Sequence, residues 1–242
     1  MRINSTELQN NFGKYLLLAA NEDIVITRNG TEIARLTTSV KHSDVPQRVN
    51  ENLPVFGYGE KATYHEFLQL RKESDERVEY IDGEIYLLAS PKVSHQYAVG
   101  QLHATFSNFF AENECTPFVA PFDIELKRPS TEEMNMVQPD LMVICDLEKH
   151  LGEDDYYKGV PSLVVEVLSE STRKKDLILK LDLYMSCGVE EYWVVNPDNK
   201  EVTVYHFEGQ DIEAFKTYKN DENACSYIFN RLKADLSYVF RS

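Results

Sequence analysis

The sequence of 242 residues lacks the features that direct a chain into a membrane or an export pathway. It contains no uninterrupted run of about 18 apolar residues, so we expect no transmembrane helix. Its first residues contain no apolar core before a small-residue cleavage site, so no secretory signal is expected. Internal repeats and low-complexity tracts are also lacking. With 43% hydrophobic residues, the sequence predicts a globular protein with a sizeable core.

Cysteine is scarce, with four residues at positions 115, 145, 187 and 225. No two of them form a CxxC pair, so a zinc site is not expected. Cys145 and Cys187 lie in apolar stretches, which is typical of small buried thiols. This usage favours the reducing cytoplasm as the location of the protein.

Basic residues are outnumbered, because 25 Lys and Arg stand against 40 Asp and Glu, for a formal net charge of −15. Residues 1–50 hold six basic and five acidic residues, a balance of +1, so residues 51–242 carry −16. Such an acidic surface argues against non-specific binding to nucleic-acid phosphates. It is still compatible with a local basic groove, or with a cluster of carboxylates that binds a metal ion.

The patterns divide the chain into two domains and a linker. Residues 1–42 show a short strand, an amphipathic helix and a hairpin that turns at Asn29–Gly30. Residues 43–60 contain two prolines and many polar residues, which is typical of a linker. Residues 61–242 alternate strand and helix patterns, which predicts an α/β or α+β domain with a mixed sheet flanked by helices.

Several elements of the larger domain have clear signals. A helix is predicted over roughly 63–72, and a hairpin turns at Asp82–Gly83. Ser94 is expected to cap a long helix over roughly 94–112. Further elements are strands near 118–127, 137–145 and 162–168, a helix over roughly 173–187 that ends at Gly188, and two strands within 190–207.

Two carboxylates occupy apolar strand patterns in the centre of this domain. Glu166 has only apolar neighbours on its own face of the strand near 162–168, and Asp140 shares its face of the preceding strand with apolar residues. An unpaired buried carboxylate costs several kcal/mol or becomes protonated. A shared cation stabilises two such groups best, and hard oxygen ligands favour Mg²⁺ or Mn²⁺. The sequence therefore predicts a metal site at Asp140 and Glu166.

Lys180 stands in the following helix, which is apolar nearly all round and is therefore expected to be buried. Asp176 precedes it by four residues and is placed for an ion pair. A lysine near two carboxylates and a metal ion is suited to orient a water or to stabilise developing negative charge.

Each of these residues also has a structural interpretation. Asp140 follows a proline and is compatible with a turn, and Glu166 with a simple ion pair. Lys180 is compatible with a side chain that extends along the helix surface to solvent. His95, on the apolar stripe of the long helix, is compatible with an ordinary core histidine.

Five segments of the larger domain carry a family pattern. They are "TYHEFLQL", "RVEYIDGEIYLLASPKVSHQ", "APFDIELKRP", "VQPDLMVI" and "GVPSLVVEVLSESTRKKDLILKLDLYMSCGVEEYWVVNPDNKEVTVY". Together they make residues 60–207 resemble the Uma-two family of restriction-endonuclease-like proteins. The resemblance implies the PD-(D/E)XK nuclease fold, with a helix, three strands, a second helix and a fourth strand. It also implies a metal-dependent endonuclease that hydrolyses phosphodiester bonds.

The resemblance assigns roles to the central charged residues. It implies that Asp140 and Glu166 bind a divalent cation, Mg²⁺ or Mn²⁺. Nucleases of this fold usually carry a lysine two residues after the second acid, where this chain has Leu168. In this family the lysine role moves to the following helix, which points to Lys180.

Two further positions follow from the same resemblance. His95 lies in the first core helix, where nucleases of this fold often place a supporting polar residue. Glu84 and Glu79 match the acids of the family's "ELIDGE" segment, which is "EYIDGE" here, and Glu84 is taken as a further candidate catalytic residue.

The smaller domain carries a different pattern. The segment "STELQNNFGKYLLLAANEDIVITRNGTEIARLT" resembles the DNA-binding half of Phd/YefM-type antitoxins. The resemblance implies a β-α-β-β domain that dimerises and binds DNA, so we expect a homodimer or a higher even-numbered oligomer. A nuclease-like domain replaces the toxin-neutralising segment, which leaves a toxin partner open. Candidate DNA contacts, each equally compatible with plain solvated surface, are Arg2, Asn10, Asn11, Lys14 and Arg28.

The sequence thus supports three functional hypotheses. The first is a Mg²⁺-dependent or Mn²⁺-dependent endonuclease acting on DNA, with RNA as the other possible substrate, fused to an antitoxin-like DNA-binding module. The second is a non-catalytic regulator or antitoxin relative that uses the nuclease fold as a scaffold. The third is a structural or dimerisation protein with no nucleic-acid role, which suits the acidic larger domain.

Overall fold

The chain forms two compact units, Met1–Glu51 and Asn52–Ser242. The computed structural model describes residues 2–4, 24–28, 31–36, 60–131, 133–153, 155–169 and 175–241. Within these ranges, every helix is too short or too polar to cross a lipid bilayer.

The described part of the first unit is a three-stranded sheet. Strand β1 (Arg2–Asn4) runs parallel to β2 (Ile24–Arg28), and β2 pairs antiparallel with β3 (Thr31–Leu36). The paired β2 and β3 confirm the strands of the predicted hairpin. The turn at Asn29–Gly30 and the helix predicted between β1 and β2 lie outside the described residues. The apolar core of this sheet contains Ile3, Ile24 and Ile26.

The second unit contains the following elements in chain order. It begins with β4 (Glu60–Lys61), α1 (Tyr64–Glu73), β5 (Val78–Ile81), β6 (Glu84–Leu87) and α2 (Val93–Phe110). It continues with β7 (Thr116–Val119), β8 (Ile124–Lys127), β9 (Met134–Val137), β10 (Leu141–Ile144), α3 (Leu147–His150) and β11 (Leu163–Val167). A π-helical turn (Lys175–Lys180) leads into α4 (Leu181–Cys187), which precedes β12 (Glu191–Asn196), β13 (Glu201–Glu208), β14 (Asp211–Lys219), β15 (Asn223–Cys225), β16 (Lys233–Asp235) and α5 (Leu236–Val239).

Two larger sheets organise this unit. The first has the strand order β14-β13-β12-β11-β10-β7, in which only β11 and β12 are parallel, and the second has the order β4-β6-β5-β9-β8. Parallel neighbours need a crossover connection, which the π-helical turn and α4 supply here. Helices α2 and α5 pack on one face of the six-stranded sheet and α4 packs on the other. This α+β architecture confirms the predicted mixed sheet flanked by helices.

The alternation predicted for β11 is confirmed. Leu163, Val165 and Val167 belong to the apolar cluster under α2, whereas Val164 belongs to the cluster under α4. Because successive strand residues point to opposite faces, Glu166 lies on the α4 side of the sheet.

Two predicted strands are each divided by a proline. The strand expected over 118–127 is split into β7 and β8 around the cis Ala120–Pro121 bond, and the one expected over 137–145 is split into β9 and β10 around Pro139. Proline has no N–H to donate to a ladder. At both points the chain passes from one large sheet to the other. Asp140 therefore stands at a corner, immediately before β10.

The predicted cap of the long helix was wrong by two residues. Helix α2 begins at Val93 with Lys92 as its N-cap, and no side chain caps it. Ser94 therefore lies inside the first turn. By contrast, α1 begins with the Thr63–Glu66 capping box, and α4 ends at Gly188 in a left-handed conformation, as the sequence predicted.

The cysteine prediction was also wrong in one respect. Cys145 is not a free thiol, because it forms a disulfide with Cys115. Thr116, the first residue of β7, pairs with Ile144, the last residue of β10, so the antiparallel register places Cys115 beside Cys145. Cys187 is free and half-buried, and burial raises the pKa of its thiol. A disulfide weakens the argument for a reducing compartment, so the cytoplasmic location stays a prediction.

We expect the protein, purified and denatured without reductant, to show two reactive thiols, and four after reduction. The reason is that Cys115 and Cys145 react only once their bridge is opened. Thiol titration in guanidinium chloride measures this number, and a non-reducing digest identifies the linked peptides. Four reactive thiols before reduction would contradict the bridge.

A buried carboxylate anchors the C-terminal part of the chain to the six-stranded sheet. Glu191 is fully buried, and its Oε1 accepts a hydrogen bond from the Trp193 indole N–H at 2.6 Å. Its Oε2 accepts from the Ser226 hydroxyl at 3.1 Å and from the backbone N–H groups of Tyr227 and Ile228 at 2.5 and 3.1 Å. One side chain thus holds the segment before β16 against β12.

Replacing Glu191 by alanine should lower the free energy of unfolding by about 3 kcal/mol, because several buried donors lose their acceptor. Urea denaturation measures the change. The matched control is Glu190→Ala, at an exposed neighbour, with an expected effect within about 0.5 kcal/mol. Equal effects of the two substitutions would show that Glu191 does not anchor this segment.

Candidate active site

The six-stranded sheet places Asp140 and Glu166 side by side. Leu141 pairs with Val165 in the antiparallel β10–β11 ladder, so continuing the register by one residue sets Asp140 opposite Glu166. Asp140 Oδ2 accepts a hydrogen bond from the Val167 N–H at 2.8 Å. The two carboxylates therefore lie side by side on the same face of the sheet.

Helix α2 supplies the next member of the site. His95 is buried in the first turn of α2, and its Nε2 lies 3.1 Å from Asp140 Oδ2. Its Nδ1 is buried and has no hydrogen-bond partner among the residues that the structure describes. His95 is therefore a neighbour of the carboxylate rather than an ordinary core residue.

Lys180 turns inward rather than toward solvent. Its side chain is 2% exposed, and its Nζ lies 2.6 Å from Glu166 Oε1 and 2.7 Å from Glu79 Oε1. The predicted pair with Asp176 exists at a longer distance of 3.9 Å. The Tyr184 hydroxyl also donates to Glu166 Oε1, at 2.7 Å. Lys180 thus bridges one carboxylate from each large sheet.

Glu79 is central to this arrangement, although we expected a catalytic role for Glu84 instead. Glu79 is fully buried in β5, and its Oε2 lies 2.5 Å from the Nζ of Lys175. Its Oε1 also accepts a hydrogen bond from the N–H of Gln138, two residues before Asp140, at 2.9 Å. Glu79 therefore connects the hairpin, the π-helical turn and the corner that carries Asp140.

The ionised forms of Glu79 and Lys180 stabilise one another. Burial raises the pKa of Glu79, but the ammonium groups of Lys180 and Lys175 outweigh this effect and hold the pKa below its usual range. Burial likewise lowers the pKa of Lys180, but Glu166, Glu79 and Asp176 raise it well above its ordinary value. Both groups are thus charged at neutral pH.

The pKa of Glu166 is shifted in the opposite direction to that of Glu79. Burial raises its pKa, Lys180 lowers it, and the surrounding carboxylates raise it further, so the pKa lies well above its usual range. The cluster is short of positive charge, since four carboxyl groups stand against two ammonium groups. The acids are Glu79, Asp140, Glu166 and Asp176, and the cations are Lys175 and Lys180.

A cavity of about 350 Å³ collects these groups, and Asp140, Glu166, Lys180 and His95 all line it. Glu84 does not line it, and its carboxylate instead accepts a hydrogen bond from the Tyr86 hydroxyl at 2.7 Å. The structure therefore brings together four of the five candidate catalytic residues.

The candidate DNA contacts belong to the first unit. Arg28 is exposed at the end of β2, and Arg2 lies in β1. Asn10, Asn11 and Lys14 lie outside the described residues. Their role in DNA binding stays a prediction.

The cavity fits a hard divalent cation in the chemistry of its donors. The described part of the chain makes no hydrogen bond to Asp140 Oδ1 or Glu166 Oε2, so each carboxylate keeps one oxygen available. No group of three or more His, Cys, Asp or Glu side chains in the described ranges is arranged as a metal site. Two carboxylates with water in the remaining positions is a common way to bind Mg²⁺.

A mixed sheet with helices on both faces, two carboxylates on adjacent strands and a lysine from the next helix is consistent with a restriction-endonuclease-like fold and a nuclease-like protein. A model of the Uma2 family, described as "Putative restriction endonuclease", matches residues 64–229. The chain therefore belongs to the Uma2 family, as the sequence segments predicted.

Individual proteins are similar to this chain in sequence or in fold. Two proteins of Synechocystis are similar in sequence: slr1290 is 29% identical over 147 residues, or 60% of this chain and 74% of the relative. The protein sll1609 is 26% identical over 135 residues, or 55% of this chain and 74% of the relative. A crystal structure of a protein from Anabaena variabilis, described as a "putative nuclease belonging to DUF820", superimposes with a TM-score of 0.57 and 19% identity. It covers 74% of this chain and 97% of its own, and it shows the shared fold.

The substitution Glu79→Gln should lower the free energy of unfolding by about 3 to 5 kcal/mol, because Lys175 is then left buried without its carboxylate. The double variant Glu79→Gln/Lys175→Met should be less destabilised than the sum of the two single variants, by about 1 to 3 kcal/mol. Urea denaturation of the four proteins measures this coupling.

The exposed pair of Lys219 and Glu201 provides a control cycle, with an expected coupling below about 1 kcal/mol. Additive effects at Glu79 and Lys175, within about 0.5 kcal/mol, would refute the buried pair.

Proposed function

We propose that this protein is an endonuclease that uses Mg²⁺ or Mn²⁺ to hydrolyse phosphodiester bonds in DNA. The main support is one observation: a single cavity joins the available oxygens of Asp140 and Glu166 to the buried ammonium group of Lys180. Carboxylates can hold the metal ion, and a lysine beside them can stabilise developing negative charge, which are two functions that serve metal-assisted phosphodiester hydrolysis. RNA is the other substrate with the same linkage.

In this proposal Asp140 and Glu166 hold the cation. When bound, the cation supplies a water of lowered pKa and neutralises negative charge on the phosphate. Lys180 fixes Glu166 through Oε1, so that Oε2 stays available, and its ammonium group stabilises the charge that develops on the phosphate. His95 orients Asp140 through the Nε2–Oδ2 contact.

The first unit is proposed to supply DNA affinity that the acidic second unit lacks. A dimer of Phd/YefM-like domains presenting Arg2, Asn10, Asn11, Lys14 and Arg28 would bind DNA on the same chain that carries the cavity. The net charge of +1 over residues 1–50, against −16 over the rest, supports this division of roles. A cytoplasmic location and an even-numbered homo-oligomer belong to the same proposal, and a toxin partner is not required by it.

A second function is favoured by a different observation. Lys180 already has carboxylates on both sides, and Glu166 Oε1 is bound by both Lys180 and Tyr184. Such an internally paired network also suits a non-catalytic DNA-binding regulator that retains the fold as a scaffold.

We expect the purified protein to nick supercoiled plasmid with Mg²⁺ or Mn²⁺, and to lose this activity with a chelator. Asp140→Asn should reduce the rate by at least about 100-fold, because one metal ligand is lost. Gel electrophoresis of the plasmid over time measures the rate, and urea denaturation verifies that the variant is folded.

The matched control is Asp221→Asn, at an exposed residue that does not line the cavity, and it should nick at the wild-type rate. Plasmid that is shifted on a gel but never nicked would favour the regulator. The absence of both nicking and a shift at low salt would leave the structural hypothesis.

A further inference from the structure

Arg77 occupies a fixed position beside the cavity. It immediately precedes β5, and its carbonyl oxygen accepts a hydrogen bond from the N–H of Leu88 at 2.9 Å. This bond extends the β5–β6 ladder by one pair. Arg77 and residues 88–92 line the same cavity as Asp140 and Lys180.

The guanidinium group of Arg77 is held by a neutral amide. Its Nε and Nη2 both donate to Gln138 Oε1, at 3.0 and 2.8 Å. Gln138 is only 8% exposed, and its Nε2 donates to Asp123 Oδ1 at 2.7 Å. Asp123 in turn pairs with Arg71 through its other oxygen. This chain of contacts fixes which end of the Gln138 amide faces Arg77.

The same glutamine links Arg77 to the centre of the site. The N–H of Gln138 donates to the buried carboxylate of Glu79, which also holds Lys180. Gln138 precedes Asp140 by two residues. The guanidinium position is therefore coupled to the position of the catalytic groups through one well-packed residue.

The charge of Arg77 is not neutralised within the described part of the chain. No carboxylate there lies within ion-pair distance of its guanidinium, although the chain holds 40 acidic and 25 basic residues. Two of its five N–H donors reach Gln138, which leaves three for another acceptor. A guanidinium in this state is suited to bind a phosphate with two parallel hydrogen bonds.

We propose that Arg77 binds a phosphate of the nucleic-acid backbone next to the phosphate that is cleaved. This inference rests on the proposed function for its substrate, and it adds a binding residue that counters the acidity of the cavity. Arg77 acts by positioning the strand, so its loss should weaken substrate binding more than the chemical step.

The test uses full-length protein without divalent cations and, as probes, inorganic phosphate and a thymidine dinucleotide with one phosphodiester. Titrations followed by ³¹P NMR give the dissociation constants. Arg77→Gln should weaken dinucleotide binding roughly tenfold or more, because a charge-assisted contact is lost. Arg77→Lys should retain part of the affinity. Arg241→Gln removes the same charge from a residue that does not line the cavity and should bind as the wild type does.

Equal binding by the wild type and Arg77→Gln would overturn the proposal, and so would a wild type that binds neither probe. In plasmid cleavage, Arg77→Gln should raise KM with kcat little changed; a lower kcat at unchanged KM would also overturn it. Arginine-dependent binding by a wild type that never nicks plasmid would keep the anion site and reject the endonuclease. Urea denaturation verifies that each variant is as stable as the wild type.

Discussion

The site depends on one buried ammonium group that two carboxylates share. Lys180 lies on the chain between β11 and β12, yet it meets Glu166 from the six-stranded sheet and Glu79 from the five-stranded sheet. Such a network is a costly way to join two sheets, because desolvation opposes the Coulombic attraction, and apolar residues of similar volume often do as well or better. The network is therefore weak evidence for a stabilising role, and its place under a cavity lined by Asp140 is what supports the proposed catalytic role.

The net charge of the chain argues against binding a nucleic-acid phosphate, but the charges close to the cavity matter more for such a contact. The formal charge of −15 describes the whole chain, whereas contacts with a phosphate are decided within a Debye length of about 8 Å. Within that range of the cavity stand Lys175, Lys180 and the guanidinium of Arg77. The cluster at the cavity keeps more carboxylates than cations, but a rigid neutral partner such as Gln138 can hold one guanidinium in place without neutralising its charge.

The sequence predicted that Asp140 and Glu166 lie on strands of one sheet, and in the structure Asp140 immediately precedes β10 while Glu166 lies in the adjoining β11. The face of Glu166 was predictable because successive strand residues point to opposite faces. The position of Lys180 in an apolar helix predicted an unusual, buried cation. The local pattern did not predict burial of Glu79, because a glutamate between Val78 and Tyr80 is typical of the solvent-facing side of a hairpin. The Glu79 carboxylate is buried among groups distant in sequence, the ammonium groups of Lys175 and Lys180 and the N–H of Gln138. The sequence also showed Pro121 and Pro139 within the predicted strands. It did not show that the chain passes from one sheet to the other at these prolines.

The π-helical turn over Lys175–Lys180 brings two lysines to one carboxylate. In an α-helix, residues five apart point about 140° away from one another, so Lys175 and Lys180 would not meet the same partner. The π-helical turn, in which backbone hydrogen bonds join residues five apart, brings both ammonium groups to Glu79. The π-helical form of the segment, and not only its residues, is thus part of the site. Converting the turn into a regular α-helix of the same length would rotate Lys175 off the carboxylate, even though every residue named in the site would still be present.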